Sequence, residues 1–217
     1  MKIQILISKN SWANKYSNIL KKKLKKYSHK IVIINNHINL RKNYDINIIF
    51  SYFRVINKKY LERSKFNLLP HESNLPQGKG MSPLTWQLLN KKNKIIFSLI
   101  EASEKMDAGK IYFKKKVYFK KDLLFKEIKL IQFNQNLKLI ERFITYFKEN
   151  KIPPKSKLQT GRSTYYKLRT KKDSKIDINK SLKSQFNLLR LCDFENYPSF
   201  FYLNKKRYLI KIIKEND

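Results

Sequence analysis

Hydrophobic residues in the first half of the chain alternate between short β-branched runs and helically spaced positions. Three isoleucine-rich runs predict strands, and they lie at residues 2–8 (KIQILIS), Lys30–Ile34 (KIVII) and residues 45–50 (DINIIF). The last two runs suit central strands of a parallel sheet. Between the first two runs, residues 13–27 predict a helix with a basic outer face, because the apolar positions are spaced helically at Tyr16, Ile19, Leu20 and Leu24.

The same alternation continues through the second half of the chain. A helix is expected to begin at Ser82 and Pro83 and to reach about Leu89, since serine caps helices and proline fits the first helical position. The other predicted elements are a short helix at residues 57–64, an apolar run at 66–69, strands at Lys94–Glu101 and 110–119, and a long helical pattern at 122–147. Strands separated by helices predict right-handed βαβ units and a doubly wound sheet.

A turn-forming segment divides the chain near its last third. Residues 151–162 contain two prolines and a glycine and predict a linker. The remainder, which includes YLIKII at residues 208–213, predicts a small β-containing appendage. We therefore expect an α/β domain over residues 1–150, with a mostly parallel central sheet, and a small C-terminal subdomain over residues 151–217.

The composition is that of a globular protein with one sizeable core. The chain has 217 residues, of which 41% are hydrophobic and 13% aromatic. Lysine or asparagine interrupts every apolar stretch, so no run has transmembrane length, and the N-terminal segment predicts a strand in preference to a signal peptide. Cys192 is the single cysteine, which fits a reducing compartment. These features predict a cytoplasmic protein without a membrane partner.

The formal net charge of +33 has two interpretations. Clustered lysine and arginine would bind nucleic acid or another anionic surface by releasing counterions. Alternatively, the whole sequence has drifted towards lysine, asparagine and isoleucine, and the charge belongs to a solvated surface. Lysine occurs in nearly every block of ten residues, with one dense run at residues 21–26, and no RNA-binding aromatic motif or zinc spacing accompanies it. This even distribution favours compositional drift.

Three of the four glycines lie near polar residues that follow predicted strands. Gly78 and Gly80 come after His71, and Gly109 comes directly after the Asp107-Ala108 pair. In a chain so poor in glycine, this placement suggests backbone positions where a side chain would not fit. Taken alone, His71 and Asp107 are better explained as ordinary loop residues. Together, at neighbouring strand ends where α/β sheets bind ligands, they predict a proton-handling pair.

The order of these residues resembles that of the folate-dependent formyltransferases, a family that includes glycinamide ribonucleotide, methionyl-tRNA and sugar-nucleotide formyltransferases. Its members carry a strand, a His-x-Ser-x-Leu-Pro loop, a glycine, a Ser-Pro or Ala-Pro helix start, and a later Asp-x-Gly. The corresponding positions here are HESNLP at residues 71–76, Gly80, Ser82-Pro83 and DAG at residues 107–109. The match is continuous over residues 51–111, whereas residues 1–50 agree in the order of elements only.

The resemblance implies a Rossmann-like formyltransferase domain that uses 10-formyltetrahydrofolate as co-substrate and no metal. An amine would attack the formyl carbon and give a tetrahedral intermediate with negative charge on oxygen. His71 would stabilise or protonate that oxygen. Asp107 would hold the imidazole and help to remove the proton from the attacking nitrogen. The sequence contains no metal-ligand cluster.

One position departs from the family pattern. Relatives usually have an asparagine two residues before the histidine, as a hydrogen-bond donor to the oxyanion, and here Leu69 occupies that position. Asn67 lies on the same side of the strand but about 6.6 Å further back. A bulge at Pro70 would bring Asn67 forward as a catalytic residue; otherwise Asn74 or a backbone N–H takes the role.

The resemblance also indicates where the folate and the acceptor bind. Residues 51–56 follow a predicted strand at the place where relatives bind the pterin, and together with the loop at residues 101–106 they predict an apolar folate pocket. Its members would be Tyr52, Phe53, Ile56 and Met106. The alternative is that Phe53 and Ile56 only fill core space.

The acceptor amine is predicted from the C-terminal part. The segment YYKLRT at residues 165–170, the later Asn187 to Arg190 region and YPSFF at residues 197–201 are similar to the tail of sugar-nucleotide formyltransferases. We therefore expect a nucleotide-linked amino sugar whose pyrophosphate is held by cations from among Lys79, Arg169 and Arg190. Lys79 and at least one of the two arginines should face the same cleft as His71. The alternatives are methionyl-tRNA and, from another class, a nucleic-acid-binding module with a vestigial formyltransferase fold. A homodimer is one of the oligomeric states left open.

Overall fold

A six-stranded mixed sheet forms the centre of the computed structural model, which describes residues 1–215. The strands are β1 (Lys2–Leu6), β2 (Lys30–Ile34), β3 (Tyr44–Ile49), β4 (Ser64–His71), β5 (Lys79–Gly80), β6 (Lys94–Glu101), β7 (Ile111–Tyr118), β8 (Tyr165–Tyr166), β9 (Ser199–Leu203) and β10 (Lys206–Ile210). The α-helices are α1 (Ser17–Leu24), α2 (Lys58–Leu61), α3 (Pro83–Leu89), α4 (Phe125–Asn150) and α5 (Leu182–Arg190). Short 3₁₀ helices lie at Trp12–Tyr16, Lys25–Tyr27, His37–Asn39 and Lys171–Ser174.

The strand order of the main sheet is β2-β1-β3-β4-β6-β7. The first three pairings are parallel, and those of β4 with β6 and of β6 with β7 are antiparallel. This confirms the predicted α/β class with a mostly parallel sheet. Of the two runs expected at the centre, β3 is central, but β2 lies at the edge and the prediction for Lys30–Ile34 was wrong. Its isoleucines are still largely covered, because α1 packs beside it.

The predicted helix at residues 13–27 forms as α1 with a 3₁₀ turn at each end. Leu20 and Leu24 are buried, and the Tyr16 ring stacks on Phe133 with a centroid distance of 4.7 Å. Ile19 is 46% exposed, so it does not belong to the buried stripe. One helical position separates Ile19 from Leu20, which is enough to turn its side chain away from the core.

The long helical pattern forms the single helix α4, which packs on β4, β6 and β7. Its apolar positions recur every three or four residues and face the sheet, and the buried ones are Ile128, Phe133, Leu137, Leu139, Ile140, Phe143 and Ile144. They join the buried residues of the central strands in the main hydrophobic core. The helix therefore covers one face of the sheet and brings its N-terminal half to the end of β4.

Helix α3 begins at Pro83 as expected, but Ser82 does not cap it. The Ser82 side chain makes no capping hydrogen bond, and its backbone is left-handed with φ +53°. An N-cap serine needs an extended backbone to turn its oxygen towards the first turn of the helix. The cap prediction was therefore wrong for a conformational reason.

The segment after α4 is tied to the main domain by backbone hydrogen bonds. Lys157 pairs with Ile111, and the short strand β8 pairs with β5 in parallel. Beyond β8, helix α5 and the β9–β10 hairpin form the β-containing appendage that the sequence predicts. Division of the chain at residue 150 stays a prediction. Across residues 1–215, no helix has the length and apolarity needed to cross a membrane.

Candidate active site

A cavity of about 540 Å³ lies at the carboxyl ends of β3 and β4. Its wall is built from the segment after β3, the end of β4, residues 80–85, the loop at residues 102–107, the N-terminal half of α4, and parts of the C-terminal tail. His71 and Asp107 both line it. The sheet thus places its cavity where parallel α/β sheets bind ligands, outside the carboxyl ends of strands.

His71, the last residue of β4, is held from two sides. Its Nε2 lies 2.8 Å from the Gly78 carbonyl oxygen, and because that oxygen only accepts, Nε2 donates the hydrogen bond. Its Nδ1 lies 3.7 Å from Asp107 Oδ1, which is too long for a direct hydrogen bond but close enough for an ion pair. The side chains are 7% and 10% exposed. This separation allows a third polar group in the cavity to bond both atoms.

Asp107 reaches His71 by a route that differs from the prediction. The two residues were expected at neighbouring strand ends, but β6 runs antiparallel to β4, and its last residue, Glu101, pairs with Leu68 in the middle of β4. The following loop brings Asp107 back to the end of β4, where Asp107 Oδ2 accepts a 2.8 Å hydrogen bond from the Gly80 backbone N–H. The carboxylate is thus oriented by a backbone donor.

Three non-glycine residues in the cavity wall have left-handed backbones. They are Ser51 with φ +55°, Ser82 with φ +53° and Asp107 with φ +49°. Such conformations cost about 1–3 kcal/mol each and concentrate at functional sites. The loops around this cavity therefore store backbone strain where the sequence predicts chemistry.

The glycines of the motif occupy positions where a side chain would collide with backbone. A Cβ at Gly109 would overlap the Glu101 carbonyl oxygen at the end of β6. A Cβ at Gly80 would overlap the Tyr166 carbonyl oxygen, because β8 runs alongside, and the φ of Gly80 is +93°. Both glycines permit close approach of a second chain segment to the loops that hold His71 and Asp107.

All four predicted folate residues line the cavity. Ile56 is buried, and Tyr52 is fixed by its hydroxyl, which lies 2.8 Å from His37 Nδ1. Phe53 and Met106 are 45% and 38% exposed, so both offer apolar surface at the cavity wall. Phe53 therefore does more than fill core space.

A second cavity of about 710 Å³ shares residues 52–54 with the first. Its wall carries Lys9, Arg41 and Arg54, and no carboxylate among the described residues lines it. The two cavities meet at the carboxyl ends of β1 and β3, where the strand order reverses. An extended ligand that begins beside His71 could continue into this basic region.

The predicted phosphate-binding residues are only partly brought together. Arg169 lines the cavity, but its guanidinium donates to the Leu191 carbonyl oxygen and the Ser174 hydroxyl, so it also anchors the tail. Lys79 and Arg190 are absent from the cavity wall formed by the described residues, which corrects the expectation that Lys79 faces the same cleft as His71.

Pairing between strands explains the position of Lys79. Because β5 pairs with β8, the Lys79 Nζ lies over the Tyr165 ring, 5.9 Å from its centroid. Arg190 is buried and donates to the Leu123 carbonyl oxygen just before α4. Burial lowers the pKa of Arg190, and no carboxylate among residues 1–215 bonds it directly. Both cations therefore serve contacts within the protein.

Sequence reasoning missed a group of polar residues in the cavity wall. They are Glu72, Lys129, Gln132, Asn136 and Asp193. Burial lowers the pKa of Lys129 to about 8. Polar residues at helical spacing, at positions 129, 132 and 136, could have indicated this group from the sequence. A search for the periodicity of apolar residues does not detect them.

The part of the chain that the structure describes contains no group of three or more histidine, cysteine, aspartate or glutamate residues arranged to hold a metal ion. The lone cysteine, Cys192, is free and half-buried. The Cys192 sulfur lies 3.5 Å from the Arg169 guanidinium. Cys192 is not among the described residues that line the cavity.

No protein-family model matches the chain. The chain is 28% identical over 176 residues to the methionyl-tRNA formyltransferase of Thermodesulfovibrio yellowstonii, and the alignment covers 79% of this chain and 54% of that protein. The predicted resemblance to the folate-dependent formyltransferases is confirmed. The chain spans about half the length, or less, of the curated relatives that it matches.

Solved formyltransferase structures share the fold of this chain. Methionyl-tRNA formyltransferase from Clostridium thermocellum superposes with a TM-score of 0.76 at 22% identity, covering 100% of this chain and 94% of that one. A likely sugar N-formyltransferase from Mycobacterium tuberculosis gives 0.75 at 12% identity, covering 100% and 98%. HypX from Aquifex aeolicus, in complex with tetrahydrofolic acid, gives 0.76 at 16% identity, covering 98% and 37%.

Asn67 does not take the role of the asparagine that formyltransferases usually carry two residues before the histidine. The Asn67 amide donates to the Leu61 carbonyl oxygen and accepts from Asn47, with both distances 3.0 Å. Asn67 is buried and is not among the described residues that line the cavity, whereas Leu69 is. The strand does not bulge at Pro70, since the pairing of β4 with β6 runs without a break from Leu68 to His71.

Asn74, the second alternative, is exposed and is not among the described residues that line the cavity. Its Oδ1 accepts a 2.7 Å hydrogen bond from Lys114 Nζ. A backbone N–H as donor to the oxyanion, the remaining alternative, stays a prediction.

Proposed function

We propose that the protein transfers a formyl group from 10-formyltetrahydrofolate to a primary amine. The observation that carries the proposal is the buried His71–Asp107 pair, 3.7 Å apart, in the wall of a cavity with an apolar side at residues 52–56. The sequence similarity to methionyl-tRNA formyltransferase and the shared fold support the same reaction. The lone cysteine is consistent with a reaction in the reducing cytoplasm.

The proposed chemistry uses both residues. The amine nitrogen attacks the formyl carbon, and the carbonyl electrons move to oxygen. An imidazolium at His71 stabilises that oxyanion, and a preorganised donor of this kind is worth about 3–4 kcal/mol. Asp107 accepts the proton that leaves the nitrogen, through a water or directly, because it lines the cavity with its Oδ1 3.7 Å from His71 Nδ1. Collapse of the intermediate re-forms the carbonyl and breaks the bond to the folate nitrogen, which takes up the proton that Asp107 accepted.

The folate half of the cavity can be tested separately. Phe53→Ala removes exposed apolar surface from the wall. We expect it to weaken binding of a non-reactive 10-formyltetrahydrofolate analogue by about tenfold, because the lost apolar contact is worth about 1.4 kcal/mol of binding free energy. Isothermal titration calorimetry measures the dissociation constant. Tyr118→Ala, an aromatic residue that is 67% exposed on β7, is the matched control and should leave it unchanged. No binding by the unaltered protein at millimolar analogue would remove the folate from the mechanism.

The acceptor is proposed to be an amino sugar on a nucleotide carrier, and methionyl-tRNA is the second candidate. The net charge of +33 and the similarity to methionyl-tRNA formyltransferases favour the second candidate. The polar lining of the cavity at α4 favours the first.

Formyl transfer to both acceptors over a salt series separates the candidates. We expect turnover with amino-sugar nucleotides that changes little between 50 and 200 mM salt, whereas binding through many phosphate contacts would weaken by about 10³-fold or more over that range. The measurement is formation of the N-formyl product by mass spectrometry. Transfer to methionyl-tRNA alone would overturn the choice of acceptor and leave the reaction standing. Tight, salt-sensitive tRNA binding with no transfer would contradict both.

A further inference from the structure

One stripe of α4 is polar although it is buried. Lys129, Gln132 and Asn136 are 7%, 5% and 3% exposed, and their spacing of three and four residues puts them on one side of the helix. The adjacent stripe is the apolar core of the protein. The three polar residues line the same cavity as His71.

Together with Glu72, the residue after His71, these residues form two hydrogen-bonded pairs in the cavity wall. Lys129 Nζ donates a 2.8 Å hydrogen bond to Gln132 Oε1, and Asn136 Nδ2 donates a 2.7 Å hydrogen bond to Glu72 Oε1. The Asn136 Oδ1 is buried and has no hydrogen-bond partner among the described residues. The group therefore retains an unused acceptor beside the cavity.

Such a group is costly for the fold. An ammonium, a carboxylate and two amides lose their hydration on burial, and apolar residues of similar size would not carry that cost. The lowered pKa of Lys129 reflects the same loss of hydration. Because the stripe faces the cavity that holds the proposed chemistry, recognition of a ligand explains its position better than packing does.

The balance of charge indicates the ligand class. Lys129 contributes a cation and Glu72 an anion, and the amides contribute both donors and acceptors, so the group has no excess charge to hold a pyrophosphate. Two aromatic rings adjoin it, since Lys129 Nζ lies 4.7 Å from the centroid of the Trp12 ring and 5.4 Å from that of Phe125. Paired donors and acceptors beside flat apolar rings suit a neutral, hydroxyl-bearing ring.

We infer that Glu72, Lys129, Gln132 and Asn136 form a subsite that binds the hydroxyl groups of the acceptor's sugar ring. This inference rests on the proposed function, and it predicts that the subsite selects a sugar acceptor. The side chain of methionine has no hydroxyl group, so a methionyl acceptor in this subsite would leave the buried polar groups without partners. Sites built to bond a substrate hydroxyl strongly reject analogues that lack it.

Binding measurements test the subsite. The probes are uridine and thymidine diphosphate, each alone and linked to amino hexoses that carry the amine at different ring carbons. For the unaltered protein, we expect at least one amino-hexose conjugate to bind about tenfold more tightly than its parent nucleotide, roughly the effect of one or two hydrogen bonds. Lys129→Met and Asn136→Leu should each reduce that ratio to about one, with unchanged affinity for the nucleotide and for a folate analogue.

Lys126→Met is the matched control, because Lys126 is exposed on the same helix. The unfolding temperature of each variant shows that it is folded, and Lys129→Met should match or exceed the unaltered protein. A sugar-dependent ratio that survives in both Lys129→Met and Asn136→Leu would overturn the subsite. So would a ratio of one for every conjugate with the unaltered protein. If no acceptor is formylated while the ratio is present and lost in the variants, the proposed reaction fails and the sugar subsite stands.

Discussion

Replacing His71 with alanine is expected to reduce formyl transfer by roughly 10²–10⁴-fold, the usual effect of a positioned acid or base. Asp107→Asn should reduce it over the same range, because the amide cannot accept the proton and cannot pair with an imidazolium. The structure places the two side chains 3.7 Å apart and buries both at the cavity wall. Single-turnover measurements with saturating folate and acceptor isolate this chemical step.

The two residues should also behave as a unit. Because each acts on the same intermediate, the double variant should be little slower than the worse single variant, whereas independent roles would multiply. Affinity for a non-reactive folate analogue should change little in either single variant. His29→Ala, at an exposed histidine beside the N-terminus, serves as control and should retain full turnover. Normal turnover in His71→Ala or Asp107→Asn would rule out the proposed roles.

Gly109→Ala is expected to have the second-largest effect, on both stability and turnover. The added Cβ would overlap the Glu101 carbonyl oxygen, so the loop or the end of β6 must move. Overpacking of this kind typically costs about 1–3 kcal/mol of unfolding free energy, and we expect the upper end because the obstacle is backbone. The same movement displaces Asp107, and a misplacement of about 1 Å can cost about 10²-fold in rate.

Gly161→Ala provides the contrast for Gly109→Ala. Apart from its neighbours in the chain, no described residue lies within 4 Å of a Cβ at Gly161, although its φ of +97° is unfavourable for alanine. It should therefore lose about 1–2 kcal/mol from backbone strain and keep its turnover. Chemical denaturation gives the stability of both variants. A Gly109→Ala protein with unaltered stability and rate would show that the loop around Asp107 does not depend on close approach to β6.

The hydrophobic pattern of the sequence determined most of the secondary structure. The runs at residues 2–8, Lys30–Ile34 and 45–50 become β1, β2 and β3, and the pattern at residues 122–147 becomes α4. These predictions depend on the period of apolar residues, which local geometry fixes before any tertiary contact forms. The motif containing His71 and Asp107 can also be recognised from the sequence alone, because it is defined by its glycines and by the spacing of its polar residues.

Only the tertiary structure decided how these parts meet. The antiparallel pairing of β4 with β6 determines how Asp107 returns to His71, and the pairing of β5 with β8 directs Lys79 towards Tyr165. Asn67 is close to His71 in sequence, but its amide is bonded to Asn47 on a neighbouring strand.

The polar stripe of α4 is a second feature that the sequence alone did not determine. Residues 129, 132 and 136 read as polar positions of an amphipathic helix, which normally face water. The helix instead turns them into the cavity, beside Glu72 from the end of β4. Sequence periodicity determines which residues share a face of a helix, but the direction of that face depends on what packs against it, and the partner here lies more than fifty residues away in the chain.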